Sequence, residues 1–237
     1  MTGQSKKRFS LLLIGMFFAF YCFSQTDSLD EKELPDHTLT AAPPALEEDF
    51  YKGSAQGGGG LVFPFSNKAL RLSLQGVYYV HGSANYVLIP HLYAGLELEN
   101  VQFGSSPVAA YNTNMFIYNV GLKIGYYTYM KNDFLLCYSV SIGPSLIKYT
   151  GALISPPKGG FNQQSFFTTP NVFAGYRVNN ELRIGFDISY VFMGYRFNPA
   201  YIGISQAIEN YNPSYANAIT SYFAIGFGVY YAFAETK

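Results

Sequence analysis

The chain has 237 residues and a formal net charge of zero, with 49% hydrophobic, 18% aromatic and only 13% charged residues. A soluble domain carries about a quarter charged residues, and a nucleic-acid partner would call for a basic excess that is absent here. Those two classes are therefore excluded first, and a membrane or envelope setting remains.

A helical membrane span needs about 20 consecutive apolar residues, and Leu11 to Phe23 is the single stretch that approaches this. It follows Lys6, Lys7 and Arg8 and ends at Cys22-Phe23-Ser24, a small-x-small pattern. A basic start, a short apolar middle and small residues at the end make a cleaved secretory signal over 1–24, with Gln25 as the new N-terminus. Tyr21 stands where a lipoprotein signal at Cys22 would need a small residue. After cleavage only Cys137 remains, so an intramolecular disulfide is not expected.

Residues 25–50 carry Asp27, Asp30, Glu31, Glu33, Asp36, Glu47, Glu48 and Asp49 against Lys32, together with the Ala41–Ala45 segment that contains Pro43 and Pro44. Low hydrophobicity and one sign of charge predict a disordered acidic leader. Residues 51–237 keep seven acids against eleven Lys and Arg, so this part is mildly cationic.

From Leu70 to Leu88 bulky apolar residues occupy even positions, while Arg71, Ser73, Gln75, His81, Ser83 and Asn85 occupy odd ones. Period-two alternation of this length predicts a long strand with one apolar and one largely polar face. Even parity returns in Leu92–Leu98, Phe116–Tyr126, Phe134–Ile142, Val172–Val178 and Leu182–Phe192. The last strand uses odd positions, Phe223 to Phe233. Bulky residues facing one way, with small and charged ones facing the other, predict a narrow barrel with lipid outside and a polar lumen. In that arrangement Leu72, Leu122, Ile184 and Phe227 point outward, and Glu97, Lys123, Arg177 and Asp187 inward.

Keeping parity across a hairpin requires an odd-length loop. Leu88/Leu92, Met130/Phe134 and Val178/Leu182 each enclose three residues, a common hairpin class. The alternate connections are longer, roughly 104–114, 150–165 and 194–218. Short turns at one end and long loops at the other predict periplasmic and extracellular sides respectively. Seven strands reach back to Leu70, and an even count calls for one more over 55–65. There Gly57–Gly60 lower strand propensity and Pro64 fits only near an end. Ser66, Asn67 and Lys68 would form its short extracellular connection. The expected fold is an all-β, eight-stranded, antiparallel up-and-down transmembrane barrel over 51–237 with both termini periplasmic.

The glycine-rich first strand, the tight turns, the aromatic-glycine alternation and the Phe223–Phe233 end strand resemble small outer-membrane β-barrel domain proteins. These are the OmpX and OmpA-transmembrane-like group, Bacteroidota type, whose exported members also share the Ser24-Gln25 cleavage context. The resemblance covers about residues 51–237 and implies the fold and an outer-membrane location; outer-membrane lipid is the expected surrounding, and an envelope protein is a candidate partner. No further domain follows the last strand, so anchoring of the OmpA kind is not expected.

Turn register places His81 opposite Glu99, Ser83 opposite Glu97 and Arg177 opposite Arg183. The main expectation is a lumen charge network of Glu97, Glu99, Lys123, Arg177, Arg183 and Asp187 filling a barrel just wide enough for side chains. An alternative takes His81, Ser83 and an acid from Glu97 or Glu99 as a hydrolytic triad, in a His-x-Ser spacing resembling small-barrel lipid A deacylases. Lumen placement argues against it, because a lipid substrate approaches from outside. His37 and His91 lack ligand-spaced partners, so neither a metal nor another cofactor is expected. The longest loop carries Tyr195, Phe197, Tyr201, Tyr211 and Tyr215. Tyrosines are contact residues in recognition surfaces, and the same residues could pack over the barrel mouth. The expected role is non-enzymatic and structural or interaction-based, with a small-solute pore as the alternative.

Overall fold

Alternation along the chain becomes eight antiparallel strands in a computed structural model that describes residues 52–105, 112–130, 133–151, 161–199 and 212–233. The strands are β1 (Gly53–Pro64), β2 (Leu74–Ile89), β3 (Leu92–Ser105), β4 (Thr113–Met130), β5 (Phe134–Gly151), β6 (Phe161–Arg177), β7 (Leu182–Met193) and β8 (Ser221–Phe233). Each pairs with its sequence neighbours, and β1 pairs with β8, so the sheet closes and has no edge. The signal and acidic leader expected over 1–50 lie outside the described residues.

Side-chain alternation sets what each face meets. Leu122 is 68% exposed and Phe227 66%, and Leu96, Leu98, Ile184 and Phe186 belong to the same outward belt. Glu97 and Lys123, on the opposite parity, are 1% and 2% exposed. A belt of large apolar side chains facing out around the whole barrel suits hydrocarbon rather than water. No helix among the described residues is long and apolar enough to cross a membrane. The membrane is crossed with strands instead.

The glycine-rich first strand is present and closes the barrel. It pairs over Gly53–Gly60 with β2 and over Gly53–Pro64 with β8. Its glycines give strand propensity away in return for room. A Cβ on Gly60 would lie 2.2 Å from the Ile225 carbonyl, and one on Gly58 would lie 2.6 Å from His81 Nε2. At Gly60 the obstacle is backbone, so only glycine fits, and at Gly58 the Phe227 carbonyl oxygen, 2.9 Å away, adds a backbone obstacle to the His81 ring. Pro64 is the last residue of the strand, as its missing N–H requires.

Three features depart from the alternation. Residues 70–73 are not strand: Lys68–Ser73 form a short helix, α1, capped by Asn67, whose side chain accepts from the Leu70 amide at 2.9 Å. Ala69, Leu70, Ser73 and Leu74 are all buried. Their spacing fits one helical face as well as leucine alternation fits a strand, and here the cap decided. A bulge at Val77 then shifts the β2–β3 register between Gly76 and Tyr78. One extra residue flips the parity above it, so Leu74 points inward while Leu72 stays exposed on α1.

The second departure is in the Leu88 turn, where another shift between Val87 and Ile89 makes Ile89, not Leu88, the partner of Leu92, and His91 takes φ 69°. The Met130/Phe134 pair forms as expected. At the third turn the Val178 amide donates to the Leu182 carbonyl at 2.9 Å.

Third, β6 starts at Phe161, inside the loop expected over 150–165, while β5 ends at Gly151, at that loop's edge. Pro144 and Pro170 sit inside these strands. The β4–β5 ladder skips between Asn119/Ser145 and Leu122/Ile142, and the β6–β7 ladder between Thr168/Phe192 and Asn171/Ser189. Each proline thus places its missing donor at a gap and keeps pairing on its other side.

Candidate functional site

The lumen is layered along the barrel axis. Toward the long connections it is filled by an apolar cluster that includes Val62, Leu70, Leu74, Phe103, Met115, Ile117, Ile147, Tyr149, Phe167, Met193 and Tyr222. Toward the short turns Tyr93, Tyr127, Leu135, Cys137, Phe173, Tyr230 and Ala232 form a second cluster. Between them, inward positions of β1 to β7 carry polar groups, while β8 presents Ala224, Gly226 and Gly228.

Glu97 on β3 is the hub of that middle layer. Its carboxylate accepts from Lys123 Nζ at 3.1 Å, faces His81 Nδ1 at 3.2 Å and accepts from the Ser141 hydroxyl. Lys123 also donates to Gln56 Oε1 at 3.3 Å and Ser83 Oγ at 3.4 Å. Asp187 on β7 accepts from Gln56 Nε2 at 3.0 Å and Asn171 Nδ2 at 2.8 Å, and stands 3.4 Å from His81 Nε2. Glu99 accepts from Asn119 Nδ2 at 2.7 Å, and Asn119 also reaches the Tyr222 hydroxyl at 3.3 Å. Buried charges remain only when paired or hydrogen-bonded: Glu97, Lys123 and Asp187 are held by side chains from β1 to β7, whereas Glu99 Oε1 and His81 Nε2 have no hydrogen-bond partner.

The network takes up the sequence-predicted residues unequally. Glu97, Lys123 and Asp187 meet through Gln56 and His81, with Glu99 beside them on β3. Register partners are His81/Glu99, Ser83/Glu97 and Arg177/Arg183. The two arginines nevertheless separate. Arg177 turns to the short-turn rim, where its guanidinium donates to Asp133 Oδ1 at 3.0 Å and to the Asn180 side chain. Arg183 stays inside, against the rings of Tyr129 and Tyr230, with centroids 5.0 and 6.0 Å away.

His81 and Ser83 do not form a nucleophile-base pair in this geometry. Both ring nitrogens of His81 face carboxylates, while Ser83 Oγ lies against Lys123 and Asn85 Nδ2 at 3.3 Å. His91 sits in the first short turn with Nδ1 3.1 Å from the Tyr127 carbonyl oxygen. No group of three metal-ligating side chains occurs among the described residues.

Three of the loop aromatics fold down onto the barrel. Tyr195 and Phe197 are buried, Tyr149 donates its hydroxyl to that of Tyr195 at 2.7 Å, and Phe197 lies 6.2 Å from the Tyr149 ring. Tyr215 packs against the same cluster and carries Lys68 Nζ over its ring at 3.9 Å. Asn67 pins this layer by donating to the carbonyls of Phe197 at 3.2 Å and Ala218 at 2.8 Å. Tyr201 and Tyr211 lie outside the described residues.

Sequence reasoning missed Gln56, Ser141, Asn119 and Asn171 as partners. The first three occupy inward positions on their strands, so parity alone could have found them. Asn171 was hidden because the strand signal of β6 was read only from Val172.

No protein-family model matches the sequence, and no characterised relative matches it. Solved structures do. Neisserial surface protein A aligns at TM-score 0.51 and 14% identity, over 77% of this chain and 97% of that one. Ail, the attachment invasion locus protein of Yersinia pestis, aligns at 0.42 and 10% identity, over 77% and 99%. OprG from Pseudomonas aeruginosa aligns at 0.40 and 11%, over 76% and 97%. At such identities the likeness speaks for the fold alone. That fold is the small eight-stranded outer-membrane β-barrel, and with its apolar outer belt the chain is a membrane β-barrel of the Gram-negative outer-membrane type.

Proposed function

We propose that this protein is a non-enzymatic, non-conducting outer-membrane barrel with a structural or interaction role. Its long connections face the exterior and both termini face the periplasm, with 1–24 a removed export signal and 25–50 an acidic periplasmic leader. One observation carries the reading: the lumen is packed in series by an apolar cluster, a paired ionic layer and an aromatic cluster. Ions crossing it would have to displace two dry layers and break buried pairs. The long connections and the lipid belt are then the working surfaces, and their partners are outer-membrane lipid and an envelope protein.

Single-channel recording in planar bilayers tests this. A sealed lumen gives no steady conductance, whereas stable current steps would overturn the reading and favour the small-solute pore. Lipid deacylation measured for native chain and Ser83→Ala covers the enzymatic alternative: equal background turnover is expected in both. Purification from native membranes in mild detergent then tests the subunit role, which predicts a stoichiometric envelope partner.

A further inference from the structure

Arg183 is 5% exposed, and its Nε and Nη1 are buried with no hydrogen-bond acceptor. Among the described residues the ion pairs involve His81, Lys123 and Arg177 as cations, and none involves Arg183. Rings of Tyr129 and Tyr230 flank the guanidinium, with centroids 5.0 and 6.0 Å away. A ring face attracts the cation but offers no lone pair to an N–H. A buried charge in that condition is strongly unfavourable until an acceptor reaches it.

The described acids at this end are already engaged. Asp133 holds Arg177, Glu181 accepts from the Tyr231 hydroxyl, and Asp187 is bonded to Gln56 and Asn171. Arg183 is the second residue of β7 and follows the turn over 179–181, so it stands at the short-turn end of the lumen. Tyr129, which carries the guanidinium on one face of its ring, is 38% exposed, so the site borders solvent there. A solute arriving from that end crosses neither the ionic layer nor the apolar cluster beyond it.

We infer that the short-turn end of the lumen is a binding site for a small carboxylate, held on Arg183 between Tyr129 and Tyr230. The chemistry selects the class of ligand. A guanidinium is a planar fork whose parallel N–H bonds match the two oxygens of a carboxylate. The aromatic walls lower the local dielectric, and each such bond counts for more there. A chloride ion can meet the charge but cannot fill the fork. With so little of Arg183 exposed, the site admits an anion of acetate size rather than a bulky one. This site is separate from the structural or interaction role proposed above, and it does not depend on which side of the membrane the short turns meet.

Urea unfolding of the full chain in detergent micelles at neutral pH tests this, with sodium acetate compared against sodium chloride at equal concentration. A ligand that binds the folded state alone stabilises it by mass action. At about 100 mM salt and a dissociation constant of about 10 mM, acetate should lower the unfolding constant roughly tenfold relative to chloride. Arg183→Gln should remove that gain. Arg177→Gln should keep it, because Asp133 already holds the Arg177 cation at the rim. Equal stability of the native chain in the two salts overturns the inference. So does a gain that persists in Arg183→Gln, which would be a solvent effect of acetate. If Arg183→Gln does not refold, nuclear magnetic resonance of the native chain decides. Its arginines are Arg8, Arg71, Arg177, Arg183 and Arg196, few enough for their side-chain signals to be assigned. The Nε–H signal of Arg183 should shift saturably with acetate, and a signal that acetate leaves unmoved overturns the site.

Discussion

Leu70, Phe103, Ile117, Phe167 and Phe197 fill one half of the lumen as they would fill the core of a soluble domain, while Glu97, Lys123, His81 and Asp187 fill its middle. Phe103, Ile117 and Phe167 lie on the same barrel strands and inward parity as the polar middle, while Leu70 comes from α1 and Phe197 from the connection after β7. The apolar half is held by area and shape, which tolerate exchange of one hydrophobe for another of equal volume. The ionic middle is held by mutual satisfaction, in which each member is costly once its partner leaves. An outward belt that meets lipid therefore does not dictate one kind of interior. It requires only that the interior be filled.

Breaking the ionic middle should have the largest effect. Lys123→Met removes the ammonium from Glu97, Gln56 and Ser83 together, and a loss of about 3–5 kcal/mol is expected. Urea unfolding in detergent or liposomes measures it. The double variant Lys123→Met/Glu97→Gln sharpens the comparison, since removing both charges should recover part of the loss.

In the apolar half, Leu70→Ala leaves a cavity beneath α1 and should cost about 2–5 kcal/mol, followed by the same unfolding. Here an exchange to Met should restore most of the stability, which no single substitution at Glu97 should do. The outer belt offers the control. Leu122→Arg should cost about 2–4 kcal/mol for unfolding from a bilayer, because the side chain sits in the exposed belt near mid-strand. A negligible change would deny that this face meets lipid. The smallest expected effect is Tyr149→Phe, about 1 kcal/mol, from losing the hydroxyl bond to Tyr195 while the ring packing stays.

Much of this was legible in the sequence, and the failures have local causes. Even parity identified the outward row because lipid selects bulky apolar side chains at every second residue, as at Leu96, Leu98 and Leu122. The three hairpins could be placed because loop length and parity constrain each other. Leucine alternation at 70–74 misled, since the same letters satisfy one turn of helix, and the Asn67 cap together with burial against the barrel mouth settled the matter. β5 and β6 extend beyond the alternation read over Phe134–Ile142 and Val172–Val178, running through Pro144 and Pro170, each of which meets a ladder gap on one side. In the lumen, parity found Glu97, Lys123 and Asp187, but not their distribution among partners. Arg177 and Arg183 are register neighbours, yet one reaches the rim and Asp133 while the other stays buried.

By itself, then, the sequence determined the barrel: its strand count, its closing strand, its outward belt and inward residues such as Glu97, Lys123 and Asp187, though not Leu74 or Arg177. These follow from period-two alternation and turn length, which are local properties of a chain. The tertiary structure decided what the interior is made of and who pairs with whom. Lumen contacts join residues on different strands, as Gln56 joins Lys123 and Asp187, and their distances depend on how the barrel closes. No local pattern carries that information. The glycines of β1 show both sides at once: the sequence displays them as a weakness in a strand, and closure turns them into the space that His81 and the Ile225 backbone require.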